Sequence, residues 1–370
     1  MAVSRPAFLP GLALSESFYR ECAAPLLERT FPGLSYSAGL LGYGSDVLGY
    51  DDAISTDHMW GPRFYLFLCE EDRPRFPAVW DALCTGLPAE YKGFSVHFSP
   101  PDPADHGVRH PEAPAGGRVT PLIFLHTPEE FTRQYLGHGP DEALSCADWL
   151  SMSEHRLLAF TSGKLFRDDL GIAAIQERFR FYPDTVRDYL IASQWSLIAE
   201  EQAFPRRCAD RGDVLGSRLI AARIVERLMR LCFLYQGRYA PYSKWLGTAF
   251  RRLPHDPDLP AALEKAVEAP SSEEREKAMI RAQILVADQH NRSGLPPVDA
   301  VPQSYFGRPI QVIWADRFAQ AAAQSLRGTP LEGAPLIGTM SQIGNFCALS
   351  DRNEYAARIR GLYGPGRHAE

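Results

Sequence analysis

A Gly-Ser turn between two apolar runs constrains this chain more than any other feature. Residues 34–43 read as a strand that delivers Gly44-Ser45. A loop rich in Asp, Gly and Ser follows, reaching Asp57 and then Trp60-Gly-Pro-Arg63. The run Phe64-Tyr-Leu-Phe-Leu68 reads as the next strand. A glycine at such a turn lets backbone N–H groups approach an anion with no Cβ in the way. The Ser45 hydroxyl is a further donor for the same oxygens. A carboxylate at Asp57 suits a hard divalent cation, which takes oxygen ligands. Gly44 and Ser45 are thus candidate phosphate contacts, and Asp57 a candidate metal ligand. Arg63, at the start of the second strand, is read either as a phosphate neutraliser or as a partner that pairs with Asp57 and holds the turn.

Length and composition set wide bounds. A chain of 370 residues has room for two or three domains, and 45% hydrophobic with 23% charged residues is ordinary globular usage. The net charge of −6 gives no general attraction to nucleic acid. Only the run of Arg206, Arg207, Arg211, Arg218, Arg223, Arg227 and Arg230 keeps a basic channel in view. No stretch reaches the ~18 apolar residues of a membrane span. The segment 7–14, broken by Pro10, reads as the lead-in to a first helix and not as a signal peptide. Seven scattered cysteines with no C-x-x-C pair read as reduced, in a cytoplasmic protein.

Periodicity divides the chain. Helical spacing covers 15–30, stopped by Phe31-Pro-Gly33, and recurs at 74–86 and 128–136. Strand patterns fall at 63–69, 93–98 and 120–126, with a Pro-, Gly-, Asp- and His-rich loop at 100–118. Strands alternating with helices make residues 1–140 a mixed-sheet α/β domain. Residues 141–370 read as an all-helical domain, clearest at 184–203, 213–236, 271–290 and 308–326. The cleft between two such domains is the default place for a small ligand.

Five blocks together resemble a bacterial family of unknown function, family 4037, within the nucleotidyltransferase-like superfamily. They are the Gly-Ser block through Arg63; Thr161 to Gly171; Tyr239-Ala-Pro-Tyr-Ser-Lys-Trp-Leu-Gly-Thr-Ala-Phe250; Gln289-His-Asn291; and Arg308 to Val312. The resemblance implies the plan of kanamycin-type nucleotidyltransferases, a nucleotide-binding α/β domain followed by a helical domain. It also implies transfer of a nucleoside monophosphate from an NTP to a hydroxyl of a small molecule, with Mg²⁺ or Mn²⁺ held at Asp57. Lys244, in its aromatic block, is the expected cation that neutralises phosphate charge.

Two departures from that pattern point the other way. The superfamily places two acids in an Asp-x-Asp or Asp-x-Glu triplet, whereas this chain has Asp57-His58-Met59. A thioether cannot replace a carboxylate for Mg²⁺. A third acid is expected on a later strand, but 94–98 and 121–126 carry none. The alternative reading is therefore a nucleotide-binding sensor or scaffold that has lost its metal chemistry. Asp51 and Asp52 are the loop acids nearest the triplet, and Glu154 reads as a solvated helix start, with general base on an acceptor hydroxyl as the alternative. His97, His106, His110 and His126, with Asp102 and Asp105, read as a solvated loop more than as a metal site.

Overall fold

In the computed structural model, residues 7–56, 59–113, 117–344 and 352–363 are described. The chain forms two compact units, Met1–Glu142 with Arg156–Arg180, and Ala143–His155 with Phe181–Glu370.

The first unit is built on a four-stranded mixed sheet. Its strands are β1 (Tyr36–Leu40), β2 (Arg63–Leu68), β5 (Leu122–His126) and β6 (Lys164–Asp168), in the order β5-β2-β1-β6. β1 and β2 are antiparallel with Tyr36 opposite Leu68, and β2 and β5 are parallel with Arg63 opposite Leu122. β1 and β2 are buried along their whole length. Side chains on a strand point alternately to its two faces. Phe64, Leu66 and Leu68 therefore join the core under α1 (Gly11–Phe18), α2 (Ala24–Thr30) and α3 (Phe76–Gly86). Tyr65 and Phe67 point the other way and meet Phe131 at ring separations of 4.9 and 5.1 Å. Arg63 shares the parity of Tyr65, so it enters the sheet on that second face.

Phe131 belongs to α4 (Pro128–Leu136), whose ends are fixed by local chemistry. Thr127 and Glu130 form a capping box, and Gly137 closes the helix in the left-handed region at φ 76°. Phe131 and Tyr135, four residues apart, fall on one face, with ring centroids 4.7 Å apart.

β6 lies in the segment read as part of the helical domain, and instead it completes the sheet against β1. Its end is tied in by Asp168, which accepts from the Ser37 hydroxyl at 2.7 Å and from the amides of Ile172 and Ala173. The strand expected at 93–98 shrinks to a two-residue ladder between β3 (Glu90–Tyr91) and β4 (Phe94–Ser95), outside the main sheet. There the Ser95 hydroxyl donates to the His97 carbonyl and accepts from its amide. Such local bonds compete with ladder pairing.

The second unit is mainly helical. α8 (Asp184–Glu201), α10 (Val214–Tyr235) and α13 (Ser272–Asn291) are its longest helices. The helix expected at 308–326 is only half present. Gln311–Val312 (β8) pairs with Gln303–Ser304 (β7), and α14 covers Asp316–Gln324. Pro309 and the β-branched Ile310, Val312 and Ile313 favour extended backbone, and Trp314 at φ 56° turns the chain before α14 starts. Among the described residues no helix is long and apolar enough to cross a membrane. The six described cysteines are free, and Cys347 lies outside the described residues.

A buried polar chain ties three helices together. The Trp195 indole donates to the Tyr235 hydroxyl at 2.7 Å, and Tyr235 and His290 Nδ1 are 3.1 Å apart. His290 Nε2 lies 3.1 Å from the Pro296 carbonyl, which can only accept. So Nε2 carries the proton, and Nδ1 accepts from Tyr235. Gln289 and His290 of that block are thus part of the core, whereas Asn291 is exposed. Burial holds the imidazole below its ordinary value of 6.5. A base depressed on folding contributes stability that is full above its unfolded value and is lost as pH falls through the folded one. Wild-type unfolding midpoints in urea should therefore drop from about pH 7 to about pH 5 more steeply than those of His290→Gln. Equal slopes would contradict this assignment.

Candidate functional site

The turn leaving β1 is held from beneath. Gly42 N–H donates to the Ala159 carbonyl at 3.2 Å, and Tyr43 N–H to the Tyr135 hydroxyl at 3.0 Å. The Tyr43 carbonyl accepts from Arg63 Nη2 at 2.7 Å. Gly44 sits at φ 121°, where L-residues are strained, and a Cβ there would collide with the Asp46 carboxylate and the Arg63 guanidinium. The chain then makes one helix-like turn, with Leu48 N–H on the Gly44 carbonyl and Tyr50 N–H on that of Ser45. Three successive amides, those of Gly44, Ser45 and Asp46, have no acceptor among the described residues, nor has the half-buried Ser45 hydroxyl. Successive free N–H groups in a tight turn form a concavity suited to an anion.

Beneath the turn lies a bidentate ion pair. Arg63 Nη2 reaches Asp46 Oδ1 at 2.6 Å and Nε reaches Oδ2 at 3.1 Å, with the two side chains only 1% and 2% exposed. Asp46 also accepts from the Val47 amide, and the guanidinium covers the Tyr43 ring at 4.4 Å. Burial pulls the Arg63 pKa down, but the Asp46 carboxylate more than offsets this and holds it above its ordinary value. The Tyr65 and Tyr135 hydroxyls, 3.1 Å apart, are pushed up by burial and stay neutral.

This arrangement corrects the expectation for Arg63. Its partner is Asp46, and its side chain is sealed under the turn, with Nε and Nη2 committed to Asp46 and Tyr43 and the buried Nη1 without a hydrogen-bond partner among the described residues. Pro62 leads Arg63 straight into a strand buried on both faces, so the side chain finds a partner inside the fold. Asp57 and His58 lie outside the described residues. Met59 stands at φ 48°, its sulfur 4.0 Å from the Tyr43 hydroxyl.

The loop acids are engaged elsewhere. Asp51 accepts from the Gly11 amide at 2.6 Å and from the Trp60 indole at 3.2 Å, and Asp52 caps the amides of Ile54 and Ser55. Among the described residues no group of three or more His, Cys, Asp or Glu could hold a metal ion. The described donors do not by themselves form a metal cluster, and Asp57 and His58 lie outside them. The histidine-rich loop is architecture too. His97 accepts from the Thr120 amide, Asp102 caps Ala104, and His110 lies 3.4 Å from Asp105.

In the second unit, Lys244 is exposed on α11 (Ser243–Phe250), its ammonium 5.0 Å from the Trp245 ring centre. Glu154 is 2% exposed, accepts from the Ala240 amide at 3.2 Å, and faces Arg230 at 3.4 Å. Burial pushes its carboxyl up against the influence of Arg230. Three of the seven arginines of the expected basic channel are held in ion pairs. Arg206 pairs with Asp210 and Glu273, Arg223 with Glu201, and Arg230 with Glu226.

Asp46, Tyr43, Tyr135 and Ser15 were not among the sequence candidates. Asp46 could have been found, since it adjoins Ser45 in the turn. Ser15, whose hydroxyl bridges the Gly61 carbonyl and the Arg63 amide, and Tyr135 carry no local signal of their tertiary role.

Residues 149–246 match a family described as Domain of unknown function (DUF4037). That span holds the block at 161–171 and the block at 239–250 as far as residue 246, and it excludes the Gly-Ser turn and the blocks at 289–291 and 308–312. Among solved structures, a nucleotidyltransferase-like protein from Exiguobacterium sibiricum 255-15 is similar at 13% identity, over 75% of this chain and 77% of that one, with a TM-score of 0.32. No curated protein matches the chain.

Removing one partner of the buried pair strands the other without solvent. Arg63→Met and Asp46→Leu should each cost about 3–5 kcal/mol of unfolding free energy. The paired change Arg63→Met with Asp46→Leu should cost clearly less than the sum of its parts. Additive losses in a double-mutant cycle by urea unfolding would contradict the pairing.

Proposed function

We propose that this chain is a nucleotidyltransferase-like protein that takes a nucleoside triphosphate at the Gly44-Ser45 turn and passes its nucleoside monophosphate to a hydroxyl of a small molecule. The observation behind the reading is the row of three unpaired amides at Gly44, Ser45 and Asp46 beside the uncommitted Ser45 hydroxyl. Four donors around one glycine turn complement phosphate oxygens, and donors fixed in advance need little reorganisation. In the transfer, the acceptor oxygen bonds to the α-phosphorus and the α–β P–O bond breaks. Pyrophosphate leaves with the bonding electrons, and the hydroxyl proton passes to a base. Asp57 would hold Mg²⁺ or Mn²⁺ against the triphosphate. Lys244 is retained as the proposed cation for charge that develops on the phosphates.

Met59 favours a second reading, a sensor or scaffold that binds nucleotide without transfer. Its sulfur stands where a carboxylate is expected, and Asp46, Asp51 and Asp52 are all engaged in holding backbone or Arg63.

Calorimetry with ATP, GTP, CTP and UTP, in Mg²⁺, Mn²⁺ or EDTA, separates the two. On the transferase reading, one triphosphate binds with metal, EDTA and Asp57→Ala abolish binding, and Ser45→Ala weakens it roughly ten-fold. Binding indifferent to metal and to Asp57 supports the second reading. No binding of any triphosphate overturns both.

A further inference from the structure

The Tyr43 peptide is gripped at both ends by side chains distant in sequence. Its N–H donates to the Tyr135 hydroxyl at 3.0 Å and its C=O accepts from Arg63 Nη2 at 2.7 Å. The Gly42 Cα packs so closely on the Tyr135 hydroxyl that a Cβ there would collide with it. Tyr135 is itself immobilised. Its ring lies 4.7 Å from that of Phe131, its hydroxyl meets that of Tyr65 at 3.1 Å, and its helix is closed by a capping box and by Gly137. The peptide between the two grips leads directly into Gly44, the first of the three free amides.

We propose that Tyr135 is a positioning residue for the phosphate turn, and that with Arg63 it fixes the Tyr43 peptide so that the amides of Gly44, Ser45 and Asp46 stay aimed at one anion. This rests on the reading of that turn as a triphosphate site. The residue acts through the Tyr43 peptide and touches no ligand. Its effect is pre-organisation, because a turn already held in shape loses less freedom when the anion binds.

Tyr135→Phe removes the hydroxyl and keeps the ring on Phe131, so the packing of α4 is preserved. Tyr65→Phe is the control. It deletes the other hydroxyl of the pair and leaves the bond from the Tyr43 amide to Tyr135 in place. Hydrogen exchange on the full chain reads the grip without any ligand, and calorimetry with ATP and with adenosine reads its consequence.

In Tyr135→Phe the Tyr43 amide should exchange roughly three- to ten-fold faster, and ATP should bind weaker by a similar factor, the scale of one hydrogen bond. Adenosine affinity should be unchanged. Tyr65→Phe should behave as wild type in all three measurements. Unchanged exchange and unchanged ATP affinity in Tyr135→Phe would overturn the proposal. So would equal losses in both variants, which would mark a general loosening of the aromatic cluster. If wild type binds no ATP while Tyr43 exchange still responds to Tyr135→Phe, the grip stands and the phosphate reading falls.

Discussion

The Asp46–Arg63 pair is the interaction on which the first unit's turn depends. Taking both charges out of water is expensive, and only tight geometry with further hydrogen bonds offsets the cost. Here the geometry is bidentate, Asp46 also caps Val47, and Arg63 also holds the Tyr43 carbonyl. An apolar pair of similar volume could fill the same space, but it could not fix a backbone carbonyl and an amide at once. The pair therefore does more for the shape of the turn than for stability as such. Gly44 follows from it, because side-chain atoms of both partners occupy the volume a Cβ would need.

Much of the architecture could be read from the sequence, since it rests on local rules. The apolar run 64–68 became a strand buried on both faces, and helical spacing at 128–136 became α4. The four-stranded mixed sheet and the mainly helical remainder follow the alternation of patterns. What was misread has identifiable causes. Lys164 to Asp168 is a short edge strand whose partner, β1, lies more than a hundred residues earlier, and no local pattern announces such pairing. At 308–315, an apolar run that could be helix or strand was taken as helix despite Pro309 and its β-branched neighbours.

The candidate site was legible in part for the same reason. Gly44 and Ser45 stand out only together with Asp57 and the family resemblance, because Gly-Ser at a strand end is by itself an ordinary turn. Arg63 reads from its charge as a phosphate neutraliser or a partner of Asp57, and the fold pairs it instead with an aspartate seventeen positions upstream. Asp46 was overlooked because an acid beside a presumed phosphate turn looks repulsive until its neutralising arginine is seen. The aromatic block at 239–250 and the block at 161–171 are tied in by packing and by hydrogen bonds such as those of Asp168 and of the Ala240 amide. Recurring blocks of this kind can record how a scaffold is held together as readily as how it reacts.

The most direct test of the central claim is site-resolved. In ¹⁵N-labelled protein the amide resonances of Gly44, Ser45 and Asp46 would be followed during parallel titrations with ATP and with adenosine. If the turn is a phosphate cradle, these three amides shift together, saturably and downfield, with ATP and stay still with adenosine. If ATP leaves all three unmoved, or adenosine moves them equally, the turn is architecture and the phosphate site must be elsewhere.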